Sequence, residues 1–251
     1  MTVLVTGGGR GIGRAIALAF AHPGSTVAIA SRTRSQLDEA ARAIGARGAR
    51  PVVLEMDVTD EGSVQRAFDQ LRAVSPGLDV LVNNAGAGGG QPIDQTDTES
   101  WRRIVDTNVW GTFLVTRQAV PMLGSGGRVV NLASVLGRFG VPGYTAYCAS
   151  KHAVIGFTRA LSLELVQRGI TVNAICPGWV DTDMAAEGMR SGAEATGLTF
   201  EQFREQALGA VPLGRLIQPE EVAHLVTFLA SPQAAAITGQ TYNICGGQTM
   251  D

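Results

Sequence analysis

Short apolar runs alternate with stretches of helical periodicity along the chain. Residues 2–5 form the first run, which breaks at T-G-G-G-R-G-I-G, residues 6–13, and gives way to an alanine-rich helical pattern reaching about residue 21. Further runs at 27–30, 52–56, 80–82, 128–132, 171–175 and 240–244 predict six more strands. Between them the periodicity predicts helices over 35–46, 61–74, 100–122 and 220–229, and one that carries Tyr147 to about residue 167. A polar, mixed segment fills 181–215. The strands read as continuous apolar runs rather than alternating ones, the pattern of strands buried on both faces.

Strand–helix alternation of this kind predicts an α/β fold, a single Rossmann-like, doubly wound parallel sheet of about seven strands with helices on both faces. No linker, repeat or low-complexity stretch interrupts it, so residues 1–251 are expected to form one domain. Hydrophobic residues make up 45% of the chain and charged ones 17%, which favours a well-buried core over disorder. A formal net charge of −2 gives no pull toward nucleic acid or an anionic membrane. No apolar run is long enough to span a bilayer. The chain enters its first strand at Thr2 without a basic lead-in, so no signal peptide is expected. Cys148, Cys176 and Cys245 are odd in number and widely spaced, suggesting neither a disulfide framework nor a metal site. A soluble cytoplasmic protein without metal, nucleic-acid or membrane partners is the expectation.

In parallel sheets covered on both faces, ligands bind beyond the carboxyl ends of the strands. The glycine turn, Asn83-Asn84, Ser134 and Pro177-Gly178 all fall at those ends. Gly7, Gly11 and Gly13 give G-x-x-x-G-x-G, which is not the G-x-G-x-x-G dinucleotide fingerprint. The physics is shared, because glycines let the backbone turn sharply and bring helix N–H groups against a pyrophosphate. The end of the second strand decides between nicotinamide cofactors: a carboxylate there holds ribose hydroxyls, whereas arginine accommodates a 2′-phosphate. Here the segment is A-S-R-T-R, 30–34, with no acid before Asp38, and Arg10 offers a second cation. NADPH/NADP is therefore expected, with NAD the second choice. Solvated surface charge is the competing account of Arg32 and Arg34. Asp57 either receives the adenine amino group or caps the next helix, a task for which Thr59 and Asp60 are better placed.

Tyr147 and Lys151 are four residues apart and share one helix face. Ser134 follows the fifth strand, so its hydroxyl and the Tyr/Lys pair are placed to converge. A phenol titrates near pH 10, too high for easy proton exchange. A fixed ammonium nearby favours the phenolate and is expected to bring that value down. Taken alone, Y-x-x-x-K equally describes an ordinary surface pair.

T-G-x-x-x-G-I-G, N-N-A-G, Asn108, Ser134 and Y-x-x-x-K occur in this order, and in that conjunction the chain resembles the short-chain dehydrogenases/reductases over essentially its whole length. It is similar to β-ketoacyl-carrier-protein reductases and aromatic polyketide ketoreductases of that family. The resemblance implies four catalytic residues. Tyr147 is the acid/base, Lys151 lowers its pKa and holds the nicotinamide ribose, and Ser134 hydrogen-bonds the substrate oxygen. Asn108 helps fix a water that links Lys151 to solvent. For Asn108, periodicity alone leaves a solvent-facing position open. The implied cofactor site comprises Gly7, Arg10, Gly11, Ile12, Gly13, Ser31, Arg32, Asp57, Val58, Asn84, Ala85, Gly86, Tyr147 and Lys151, with Pro177, Gly178, Val180 and Thr182 at the nicotinamide end.

The resemblance further implies one dinucleotide-binding catalytic domain with a substrate lid at about 181–215. It implies an NADPH-dependent carbonyl reductase of a β-ketoacyl, polyketide-like or other bulky ketone, free or bound to carrier protein or coenzyme A, and a homotetramer. Two alternatives remain: an NAD(P)-dependent secondary alcohol or hydroxyacyl dehydrogenase working oxidatively, and a non-catalytic NADP-sensing protein. Met184, Met189, Leu198, Phe200 and Phe203 are expected either to line an apolar cavity or to pack the lid's own helices. Trp101, Trp110 and Trp179 are expected to pack, with contact to substrate the alternative for Trp179. His152 points about 100° away from Lys151 on its helix. With no histidine near a nucleophile, a Ser-His-Asp hydrolase is not supported.

Overall fold

The inner strands of the central sheet are largely buried on both sides, whereas the edge strands are half-buried, and the alternation of side chains across each strand decides which helices cover it. A computed structural model describes residues 1–250. Seven strands, β1 (Thr2–Thr6), β2 (Thr26–Ser31), β3 (Arg50–Glu55), β4 (Leu78–Asn83), β5 (Leu123–Leu132), β6 (Thr171–Pro177) and β7 (Thr241–Ile244), form one sheet in the order β3-β2-β1-β4-β5-β6-β7. All six pairings are parallel.

On β1, Val3 and Val5 face one side and Leu4 the other. The first side is covered by α1 (Gly11–Ala19), α2 (Arg34–Ala46) and α9 (Pro219–Leu229), through Ile16, Leu37, Ile44, Val222 and Val226. The second side is covered by α3 (Glu61–Val74), α5 (Gly111–Ala119) and α6 (Thr145–Leu165), through Phe68, Leu71, Leu114, Leu161 and Leu165. The chain leaves β1 toward β2 and β3, then crosses back to β4, so the direction of winding reverses between β1 and β4. In open α/β sheets the crevice outside that reversal is where ligands sit.

The single helix expected over 100–122 is broken. It consists of α4 (Thr98–Val105), a π-helical turn at Asp106–Trp110, α5, and a 3₁₀ turn at Val120–Met122. The extra residue of a π turn rotates the chain relative to a regular helix, and here it carries the buried Asn108. Gly111 follows because a Cβ there would stand 2.7 Å from Cγ2 of Val58.

The segment between β6 and α9 leaves the sheet and returns. It contains α7 (Asp183–Thr196) and α8 (Phe200–Gly209). Its two ends are pinned by a parallel bridge between Val180 and Ile217, in which Asp181 N donates to Ile217 O and Ile217 N to Trp179 O. No helix among the described residues is long and apolar enough to cross a membrane.

Candidate active site

A cavity of about 480 Å³ opens at the reversal point. Its floor at one end is the turn from β1 into α1. Gly7 adopts φ +65° and Gly11 φ +53°, a left-handed geometry that favours glycine. A Cβ on Gly13 would lie 2.1 Å from the Gly7 carbonyl oxygen and 2.5 Å from the Asn84 amide nitrogen, so the turn and the helix meet only without a side chain. Helix α1 has no side-chain cap and no acid in its first turn. Its leading N–H groups and the positive end of its dipole are left for an anion.

Asn84 clamps this cradle from β4. Its Nδ2 donates to the carbonyl of Thr6 at 2.9 Å and its backbone N–H to Thr6 Oγ1 at 3.0 Å. The amide thus shapes the turn as well as lining the cavity with Ala85 and Gly86. Ile12, Pro177, Gly178, Val180 and Thr182 complete that end, and Thr182 faces Gly11. These features suit a dinucleotide pyrophosphate.

Two cations flank the cradle. Arg10 lines the cavity and pairs with Asp183 at the start of α7, at 3.5 Å. Arg32, beyond the end of β2, lies 3.9 Å from Asp57. Ser31, Arg32, Asp57 and Val58 are not in the cavity wall; they occupy the adjoining ends of β2 and β3. Asp57 does not cap α3. Its Oδ1 accepts from the backbone and hydroxyl of Thr59, while Asp60 caps the helix through Ser63 N–H. Arg34 is occupied on its own helix by Asp38, at 2.9 Å.

At the middle of the cavity Ser134, Tyr147 and Lys151 come together. Ser134 lies two residues beyond β5 and caps a short 3₁₀ turn, its Oγ accepting from Leu136 N–H, which leaves the hydroxyl proton to donate. Helix α6 presents Tyr147 and, one turn on, Lys151. Lys151 is 5% exposed, and its Nζ donates to the Leu132 carbonyl at 2.8 Å.

The expected direction of the Tyr147 shift is reversed. Burial pushes the phenol up to about 12, although a hydrogen bond from Ser134 pulls it partly back. Burial equally draws the Lys151 ammonium down to about 8. Desolvation disfavours whichever form is charged, and for the phenol it outweighs the hydrogen bond from Ser134.

Asn108 is buried, not solvent-facing. Its Oδ1 accepts from Ala87 N–H at 2.8 Å, and its Nδ2 donates to Ala87 O and Ser150 Oγ, both at 2.9 Å. Gly86 separates Asn108 from Lys151: a Cβ there would stand 3.3 Å from Asn108 Oδ1 and 3.7 Å from Lys151 Nζ.

The rest of the wall is largely apolar. Met184 and Phe203 line it, with Val135, Leu136, Phe139 and Val141, but Met189, Leu198 and Phe200 do not. Met189 is buried outside the cavity wall, and Phe200 lies under Arg190. Trp179 lines the cavity, whereas Trp110 stacks on Phe113 at 5.1 Å. His152 is exposed and its Nδ1 bonds the Cys148 carbonyl.

Tyr144 and Gln248 also line the cavity and were not singled out from the sequence. Tyr144 carried a signal, lying three residues before Tyr147 on the same helical face. Gln248 carried none, being brought in from beyond β7. No group of acids, histidines and cysteines that could hold a metal occurs among the described residues.

A family model described as enoyl-(acyl carrier protein) reductase matches residues 7–249. A protein named as a ketoacyl reductase of the monensin polyketide synthase, from Streptomyces virginiae, is 44% identical over 97% of this chain and 95% of its own. The 3-oxoacyl-(acyl-carrier-protein) reductase of Aquifex aeolicus is 37% identical over the same shares. Among solved structures, a Phe-to-Trp variant of actinorhodin polyketide ketoreductase with NADPH superposes with a TM-score of 0.92. It is 38% identical, with 98% of this chain and 96% of that one covered.

Proposed function

We propose that this chain, which belongs to the short-chain dehydrogenase/reductase family, is an NADPH-dependent ketoreductase acting on a β-ketoacyl or polyketide-like ketone. The observation that carries it is the meeting of Ser134, Tyr147 and Lys151 in one cavity whose far end is a glycine cradle. When bound, NADPH supplies a hydride to the carbonyl carbon. The cradle and the α1 terminus hold the pyrophosphate, and Arg32 with Arg10 meets the 2′-phosphate.

Tyr147, kept neutral by burial, gives its phenolic proton to the ketone oxygen as negative charge develops there. Ser134 donates to the same oxygen and stabilises that charge. Two hydroxyls converging on one oxygen favour a carbonyl over an alkene as the group reduced. Lys151 holds the ribose hydroxyls and supplies the positive charge beside the phenol. Asn108, fixed to Ala87 and Ser150, holds the helix turn against Gly86 and keeps that corner polar. The apolar wall of Val141, Met184 and Phe203 suits the carbon skeleton of a bulky ketone.

On this account residues 1–251 act as one catalytic domain whose segment 181–215 covers the substrate. Exposed Leu163 on α6 and Val166 just beyond its end are apolar surface that a homotetramer would cover, and the protein works in the cytoplasm.

The test is a panel of ketones and alcohols assayed with NADPH and with NADH. Turnover of a β-ketoacyl thioester or bicyclic ketone, faster with NADPH, is expected. A protein that reduces no ketone with either cofactor contradicts the proposal.

A further inference from the structure

The geometry points to Tyr144 as a second-oxygen reader: we infer that its hydroxyl donates a hydrogen bond to an oxygen of the substrate other than the one being reduced, so that the enzyme selects β-dicarbonyl substrates over simple ketones. The inference deepens the ketoreductase assignment and rests on it.

Tyr144 immediately precedes α6 and lines the same cavity as Tyr147, three residues further on. The two phenols are close enough to influence one another's ionisation. The neighbouring wall, from Val135, Leu136, Val141, Met184 and Phe203, carries no polar side-chain atom apart from the Met184 thioether. In a largely apolar pocket a few polar groups fix orientation and set specificity.

The Tyr144 hydroxyl has only a marginal partner within the protein, the carbonyl of Gly188 on α7 at 3.5 Å. A good hydroxyl–carbonyl bond is several tenths of an ångström shorter. A half-buried phenol held this loosely is free to turn to a ligand. Its ring is fixed meanwhile, because it packs on Gly90, where a Cβ would come within 2.8 Å of the ring carbons. Tyr144 is thus a positioned donor facing the cavity. A β-ketoacyl thioester or poly-β-ketone carries oxygens on alternate carbons. With one oxygen held by Ser134 and Tyr147, the next along the chain requires a donor on the same wall. A site that hydrogen-bonds a polar group discriminates strongly against analogues lacking it.

The experiment compares wild type with Tyr144→Phe, which keeps the ring on Gly90 and removes only the hydroxyl. Each is assayed with NADPH on an acetoacetyl thioester of N-acetylcysteamine and on 1-tetralone, which has one oxygen. General damage falls on both substrates and cancels in their ratio. The ratio of kcat/KM, thioester over tetralone, is expected to fall by about tenfold or more, the effect of one lost hydrogen bond. An unchanged ratio overturns the inference, as does a variant dead with both ketones, since that marks a need for Tyr144 irrespective of a second oxygen. A wild type that reduces neither ketone overturns the ketoreductase assignment and this inference with it. An active wild type with an unmoved ratio overturns the inference alone.

Discussion

The Lys151 ammonium lies over the Tyr147 ring, 5.6 Å from its centroid. An ammonium at that distance is attracted to the face of the ring, while burial moves both groups toward their neutral forms. The phenol rises to about 12 and the ammonium falls to about 8. Near neutral pH the pair is a neutral phenol beside a cation. That is the state able to give a proton to a nascent alkoxide.

The pH dependence follows from the signs of these shifts. Lys151, with its value lowered, loses its charge as pH rises through about 8, whereas Tyr147 keeps its proton until about 12. For ketone reduction, kcat/KM is expected to be level through neutrality and to decline with the loss of one proton near pH 8, since that parameter reports groups of the free enzyme. A profile that stays level to the ordinary lysine range, about pH 10.4, would count against a charged Lys151 in the reaction.

Ser134→Ala removes the donor to the developing oxyanion and the bond that holds the Tyr147 phenol down. Steady-state kinetics should show kcat lower by about 10²–10³, the usual effect of losing one such donor. NADPH binding, followed by its fluorescence, should be nearly unchanged.

Arg32→Asp places an acid beside Asp57, where a cation now stands 3.9 Å away. The ratio of kcat/KM with NADPH to that with NADH is expected to fall by about 10–100-fold, the value of a charge-assisted hydrogen bond. Equal preference in wild type and variant would remove Arg32 from the cofactor site.

Asn131 is fully buried on β5; it accepts from Asn83 Nδ2 at 2.8 Å and donates to Thr158 Oγ1 at 2.9 Å. This chain of bonds ties α6 to the sheet and so holds Tyr147 in place. Asn131→Ala leaves partners unsatisfied and should cost about 1–3 kcal/mol. In a chain of this size each kcal/mol lowers Tm by about 2–4 °C, which thermal unfolding will measure.

Most of the fold was legible because buried parallel strands are continuous apolar runs. Residues 128–132 and 171–175 lie wholly inside β5 and β6, and 61–74 coincides with α3. The break in the helix at Asp106–Trp110 was not legible. Its local sequence is helical, and the π turn answers a tertiary demand, the burial of Asn108 beneath Gly86. Spacing brought Tyr147 and Lys151 together but said nothing of depth, and depth fixed the direction of both pKa shifts. Likewise apolar residues of 181–215 were visible, yet periodicity does not separate Met184, which lines the cavity, from Met189, which is buried outside its wall. The Asn83–Asn131–Thr158 network joins residues from three elements and has no local signature.

The proton that Tyr147 gives to the substrate oxygen is the centre of this account. The most direct test is single-turnover reduction of a good ketone by Tyr147→Phe preloaded with NADPH. The variant should bind the cofactor as wild type does and yet oxidise it at a rate lower by at least about 10², the low end of what a positioned general acid contributes. An undiminished rate would show that the proton comes from elsewhere.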